Sequence, residues 1–231
     1  MGSQMVREEE NKLFHDRKEA GIKLAERLKK YEAAENLMVL ALPRGGVPVA
    51  FEVAKTLGAP LDVFITRKLR FPDNPELALG ALAENGEVFL NQDLMDYCPD
   101  GYLEQEISYQ KKEIKRRQML YRGVVESPPL SGKTVILVDD GVATGATMIA
   151  SIRALKASRV KELIVAVPVA PRDMIEKLSG LADKLVILHT PSPFIAVGVH
   201  YFDFRQVSDE EVKKYLDESK KRDKFHKEGS E

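Results

Sequence analysis

Residues 134–147, TVILVDDGVATGAT, join an uncharged β-branched run, two adjacent carboxylates and a small-residue turn bearing hydroxyls in one unbroken order. Thr134 to Val138 has the pattern of a strand covered on both faces of a parallel sheet. Parallel neighbours need crossover connections, so this one segment restricts the chain to α/β architectures. The turn that follows leaves the carboxyl edge of the sheet, where free backbone N–H groups face a crevice. Ala143, Gly145 and Ala146 let the backbone approach a phosphate, while Thr144 and Thr147 add hydroxyl donors, which makes an anion cradle. Asp139 and Asp140 stand just before it. Two carboxylates at an anion site make sense for a divided ligand whose sugar hydroxyls lie beside its phosphate; each charge-assisted hydrogen bond there is worth roughly 1.5–3 kcal/mol. An isolated acidic pair is equally well read as a helix cap, but the complete string is not.

The rest of the chain repeats the alternation. An amphipathic helix is predicted from Phe14 to about Tyr31, with Phe14, Ile22, Ala25 and Leu28 among charges. Leu37–Leu42 reads as the first buried strand and Val47–Leu57 as a helix with Pro48 in its first turn. Leu61–Thr66 is the second strand. Residues 67–86 hold charges, two prolines and an Asn-Gly pair, and are expected to form a long mobile loop ending in a hairpin with Val88–Leu90. A charged helix over Leu103–Tyr121 precedes the string at 134. Its own helix follows at about 146–157, then a strand at Leu163–Val167, a helix begun by Pro171 and a strand at Lys184–Leu188. This succession predicts an α/β fold, a parallel twisted sheet with helices on both faces built from right-handed crossovers. Beyond Ser208 charge dominates, so at most one short helix is expected, with a disordered tail over about 217–231.

Pro43, Arg44, Gly45 and Gly46 lie between the first strand and its helix, at the same sheet edge as the acidic pair. Gly45 and Gly46 open backbone conformations closed to other residues, and Arg44 offers a planar fork for phosphate oxygens. Alone, the segment is a tight turn; paired with the second motif, it implies a ligand carrying two phosphate groups. Arg67 and Lys68 follow the second strand, again at a carboxyl end. GxxxxGK[ST] and a GxGxxG after a strand are both missing, which argues against a nucleoside triphosphatase or a dinucleotide enzyme.

VILVDDGVATGAT, with PRGG, resembles the type I phosphoribosyltransferase family. That resemblance implies binding of phosphoribosyl pyrophosphate (PRPP) and transfer of its phosphoribosyl group to a nitrogen acceptor, a nucleobase, with release of pyrophosphate. Asp139 and Asp140 would hold the ribose hydroxyls, and Gly141, Val142, Ala143, Thr144, Gly145, Ala146 and Thr147 the 5′-phosphate. Arg44, Gly45 and Gly46 would form the pyrophosphate loop, with a non-proline cis bond near Arg44, and Arg67 and Lys68 would contact the pyrophosphate. Lys68, Asp139 and Asp140 are thus the candidate catalytic residues. The loop at 67–86 would close over the site and exclude water. Mg²⁺ is the implied cofactor, held through PRPP and by Asp139 and Asp140. Enzymes acting on hypoxanthine and guanine carry an aspartate where this chain has Ala143, which removes their usual base. A hood at about 191–208 would bind the acceptor, with Phe194, Ile195 and Tyr201 around a ring and His200 or Asp203 hydrogen-bonding it; an edge strand with core aromatics is the plainer reading. A homodimer is also implied.

Composition limits the alternatives. The 231 residues suit one domain spanning 1–231. Lys and Arg total 35 against 36 Asp and Glu, a formal charge of −1 that provides no global field for nucleic acid. The single cysteine, Cys98, excludes an intramolecular disulfide and fits a reducing cytoplasm. The first residues lack the apolar core of a signal peptide, and no stretch reaches the ~18 apolar residues of a membrane span. A soluble cytoplasmic protein is therefore expected. The competing function is a PRPP- or nucleotide-binding regulator without transferase activity, gripping nucleic acid through Lys111, Lys112, Lys115, Arg116, Arg117 and Arg122. Glu104, Glu106 and Glu113 interleave with these, which favours a solvated helix face.

Overall fold

A computed structural model describes residues 12–32, 34–72 and 74–228. In chain order its elements are α1 (Arg17–Leu28), β1 (Leu37–Ala41), α2 (Gly46–Leu57), β2 (Leu61–Val63), β3 (Thr66–Phe71), β4 (Asn74–Ala83), β5 (Val88–Leu90), α3 (Gln92–Met95), α4 (Tyr102–Arg122), β6 (Thr134–Val138), α5 (Ala146–Ala157), β7 (Glu162–Val169), α6 (Asp173–Ser179), β8 (Lys184–His189) and α7 (Asp209–Glu228). Five strands form one sheet in the order β2-β1-β6-β7-β8, with every pairing parallel. β1 and β6, at its centre, are buried at every position, as their unbroken apolar runs require. Alternate residues feed two cores. Val39, Ala41, Ile136 and Val138 pack with α1, α2, α4 and α7, whereas Leu40, Val135, Leu137 and Val165 pack with α5 and α6.

The chain leaves β1 toward β2, then returns to continue from β6 in the opposite direction. The strand order therefore reverses between β1 and β6, and at such a switch point the two carboxyl ends part to form a crevice. Leu42 N–H donates to Val138 O at 2.9 Å and ties these ends together. The PRGG turn and the acidic pair are brought side by side by this topology.

Four sequence expectations change. The first helix begins at Arg17 rather than Phe14, because Asp16 caps it by accepting from Glu19 N–H at 2.8 Å; Phe14 instead bridges to Tyr201. The expected strand at Leu61–Thr66 divides, with β2 ending at Val63 and β3 starting a second sheet at Thr66. Most of 67–86, expected as an irregular loop, is β3 and β4 of that antiparallel sheet, ordered β3-β4-β5. The Asn85-Gly86 turn stands where the hairpin was expected. Its charges are absorbed by partners: Arg122 Nε donates to Asp62 at 2.8 Å and Arg122 Nη2 to the fully buried side chain of Glu84 at 2.8 Å, which joins the second sheet to β2.

The tail is the fourth change. α7 continues to Glu228, and residues 229–231 lie outside the described residues. Ser208 accepts from Glu211 N–H at 3.1 Å while Glu211 accepts from Ser208 N–H at 2.9 Å, a reciprocal capping box. Val212, Leu216 and Ser219 then bury one face, and Tyr215 packs on Phe51 at 5.0 Å between ring centroids. The charge-rich composition hid a narrow apolar stripe.

Candidate functional site

The site grows from the ends of β1 and β6. After β1, the peptide between Pro43 and Arg44 is cis, as expected for this turn. A Cβ on Gly45 would stand 2.1 Å from Asp140 Oδ2, and one on Gly46 would stand 2.8 Å from Val138 O. Only glycine permits this contact, so the two glycines press the first loop onto the acidic pair. Arg44 sits 3.8 Å from Asp209 at the start of α7, and Tyr121 donates to the same carboxylate at 2.5 Å. The C-terminal helix thereby helps to hold the first loop.

Asp139 Oδ1 accepts from Asp140 N–H at 2.8 Å. Burial and the neighbouring Asp140 charge push Asp139 well above the ordinary carboxylate range. Burial also raises Asp140, against the pull of Arg17, whose Nε donates to Oδ2 at 2.7 Å. The pair is poised to accept hydrogen bonds from hydroxyls that complete its desolvated surface. Beyond it, Gly141, Val142 and Gly145 are buried, whereas Ala143, Thr144, Ala146 and Thr147 are exposed around a hollow of 130 Å³ that leads onto the start of α5. Small exposed residues at a helix entrance keep N–H groups within reach of an anion.

Other candidates are distributed less simply. Lys68 lies half-buried on β3, opposite Ala81. Arg67, one residue before, points to the other face, and its Nε donates to Gln110 of α4 at 3.0 Å. Burial, then the nearby Arg117, lowers the Arg67 pKa. The two basic residues therefore serve different faces of the second sheet.

The residues proposed to surround an acceptor also separate. Ile195 is 74% exposed, and Phe194 packs against His200 at 5.3 Å. Tyr201, by contrast, is fully buried against Phe14 and Phe204. Its hydroxyl donates to Asp140 O at 2.6 Å. That corrects its expected place around a ring, because a phenol already spent on the backbone braces the acidic pair instead. His200 is likewise buried, and Asp203 is exposed, accepting from Arg205 N–H at 3.1 Å.

Arg17 was not legible as a site residue. It stands among the charges of HDRKEAGIKLAERLKK, with nothing local to distinguish it, and is 123 positions from its carboxylate partner.

Comparison with known proteins gives one consistent result. A model of the phosphoribosyl transferase domain family matches residues 12–201. A protein of Mycobacterium tuberculosis named "Putative phosphoribosyl transferase" is 44% identical over 208 residues, covering 89% of this chain and 47% of that protein. This chain thus spans about half the length of such relatives. A ribose-phosphate pyrophosphokinase of Methanopyrus kandleri is 33% identical over 182 residues, covering 67% of this chain and 62% of that one. The crystal structure of TT1426 from Thermus thermophilus is similar with a TM-score of 0.77 and 44% identity, covering 89% of this chain and 98% of that one.

Proposed function

The chain belongs to the phosphoribosyl transferase domain family, and from that premise we propose that it transfers the 5-phosphoribosyl group of PRPP to a nitrogen of a nucleobase, releasing pyrophosphate. The observation that carries this reading is the contact of Gly45 with Asp140. It sets the PRGG turn beside the acidic pair, which supports one ligand spanning both.

In this reading Asp139 and Asp140 accept from the ribose hydroxyls, and the backbone and hydroxyls of residues 141–147 receive the 5′-phosphate. Arg44, Gly45, Gly46 and Lys68 receive the pyrophosphate, while Arg67 acts from its seat on Gln110. Little covalent chemistry falls to the protein. Holding both ends of the donor fixes the anomeric carbon, and orientation of that kind contributes up to ~7–11 kcal/mol to such reactions. The carboxylates also stabilise positive charge growing on the ribose ring. Phe194 and Ile195 remain the acceptor-binding candidates. With alanine at position 143, the phosphate loop offers the acceptor no carboxylate base.

Among the described residues no group of three or more His, Cys, Asp or Glu side chains is arranged to hold a metal ion. The site's hard oxygen donors, Asp139 and Asp140, with one oxygen of the latter engaged by Arg17, fit Mg²⁺ brought in on phosphate oxygens. Asp139 and Asp140 are the residues that would hold it. An ion bound there would supply charge neutralisation for a diphosphate. The assembly we favour is a homodimer, as the family resemblance implies.

The deciding experiment is pyrophosphate release from PRPP across a panel of purine and pyrimidine bases with Mg²⁺. One base is expected to consume PRPP. Tight PRPP binding with no base consumed would replace the transferase reading with that of a PRPP-binding regulator.

A further inference from the structure

Three restraints converge on Arg17, a residue outside both loops. Its Nε donates to Asp140 Oδ2 at 2.7 Å, its Nη1 donates to Arg205 O at 2.8 Å, and its guanidinium carbon lies 3.8 Å from the Phe204 ring centroid. The Arg17 and Asp140 side chains are only 11% and 13% exposed. A planar fork held by a carboxylate, a carbonyl and a ring face has little rotational freedom left. Asp140 is restrained in turn. Its Oδ2 fills the space beside Gly45, and its main-chain O accepts from the Tyr201 hydroxyl. With Oδ2 held on that side, the orientation of the carboxylate is set before a ligand arrives.

We propose that Arg17 is a positioning residue, whose guanidinium fixes the Asp140 carboxylate as an acceptor for ligand hydroxyls and couples it to the segment bearing Phe204 and Arg205. This rests on the ribose reading above. A lone surface ion pair would contribute little, but here the pair is largely shielded and joins three distant segments. Loss of the guanidinium frees the Asp140 side chain to turn and breaks the tie to Arg205 O, while Tyr201 still holds the Asp140 main chain. Arg17 and Asp140 line a 340 Å³ hollow together with Arg44, Gly45, Phe204 and Gln206, so the fixed carboxylate faces the space a ligand would enter.

The test compares the full chain with Arg17→Met, Arg17→Gln and Arg17→Lys by calorimetry with Mg²⁺ at one pH, using PRPP, ribose 5-phosphate and inorganic pyrophosphate as probes. Arg17→Met should weaken PRPP and ribose 5-phosphate roughly tenfold or more while pyrophosphate affinity stays at the wild-type value. Arg17→Lys should recover most of the loss. If Arg17→Met fails to fold, Arg17→Gln, which keeps a donor for Arg205 O, is expected to give the same selective loss. Equal weakening of all three probes would reduce Arg17 to a structural role and overturn the proposal. Unchanged or tighter PRPP binding by Arg17→Met would also overturn it. If the wild type binds pyrophosphate but neither ribose compound, the ribose reading falls and takes the proposal with it.

Discussion

Two largely shielded carboxylates side by side disfavour folding at neutral pH, and Asp139 carries most of that effect. Because burial and the Asp140 charge raise its folded-state pKa, the folded protein holds the proton more tightly than the unfolded chain does. Its stabilising contribution is therefore present below the ordinary carboxylate value and is lost as pH rises through the raised one. Asp139→Asn removes that loss. Calorimetric melts are expected to give this variant a higher Tm than wild type at neutral pH, with the margin fading on acidification. Function should move the other way: Asp139→Asn combined with Asp140→Asn is expected to fold yet show no PRPP binding by calorimetry, and undiminished affinity would remove the ribose assignment. At this scale the acidic pair was readable because its neighbours in sequence are its neighbours in the loop. Tyr201 was misread for the opposite reason. Its partners, Phe14, Phe204 and the main chain of Asp140, come from three separate segments, and composition alone does not tell a ring-binding tyrosine from a brace.

At the scale of elements, β1 and β6 followed directly from uncharged β-branched runs, whereas the second sheet and α7 did not. The strands over 66–83 were obscured by charges whose partners lie far away, such as Arg67, whose Nε donates to Gln110. α7 did carry a local signal, the Ser208 to Glu211 capping box, but its apolar stripe is too narrow to outweigh the surrounding lysines and glutamates without the core it meets. Leu216 lies in that stripe and is 1% exposed. Leu216→Ala is expected to cost about 2–5 kcal/mol, the usual range for emptying a buried leucine site, measured as a lower urea midpoint with an unchanged slope. An effect below ~1 kcal/mol would show that α7 is only loosely docked.

For the whole molecule, the two cores lie on opposite faces of one five-stranded sheet, and Arg122 links the second sheet to β2 through Asp62 and Glu84. Neither layer can leave without exposing the other, so unfolding is expected to be a single transition. The chain has seven tyrosines and no tryptophan, so coincident urea curves by tyrosine fluorescence and far-UV circular dichroism are the check; separated midpoints would mark the second sheet as an independent unit. The amino-acid sequence by itself determined the central strands, the alternation that makes their sheet parallel, and the two loops, because each depends on residues a few positions apart. Tertiary structure alone decided what surrounds them: that Gly45 packs on Asp140, that Arg17 and Tyr201 hold the acidic pair, and that α7 reaches back to Arg44. Those contacts join residues far apart along the chain, and they exist only once the reversal of strand order has brought the ends of β1 and β6 together.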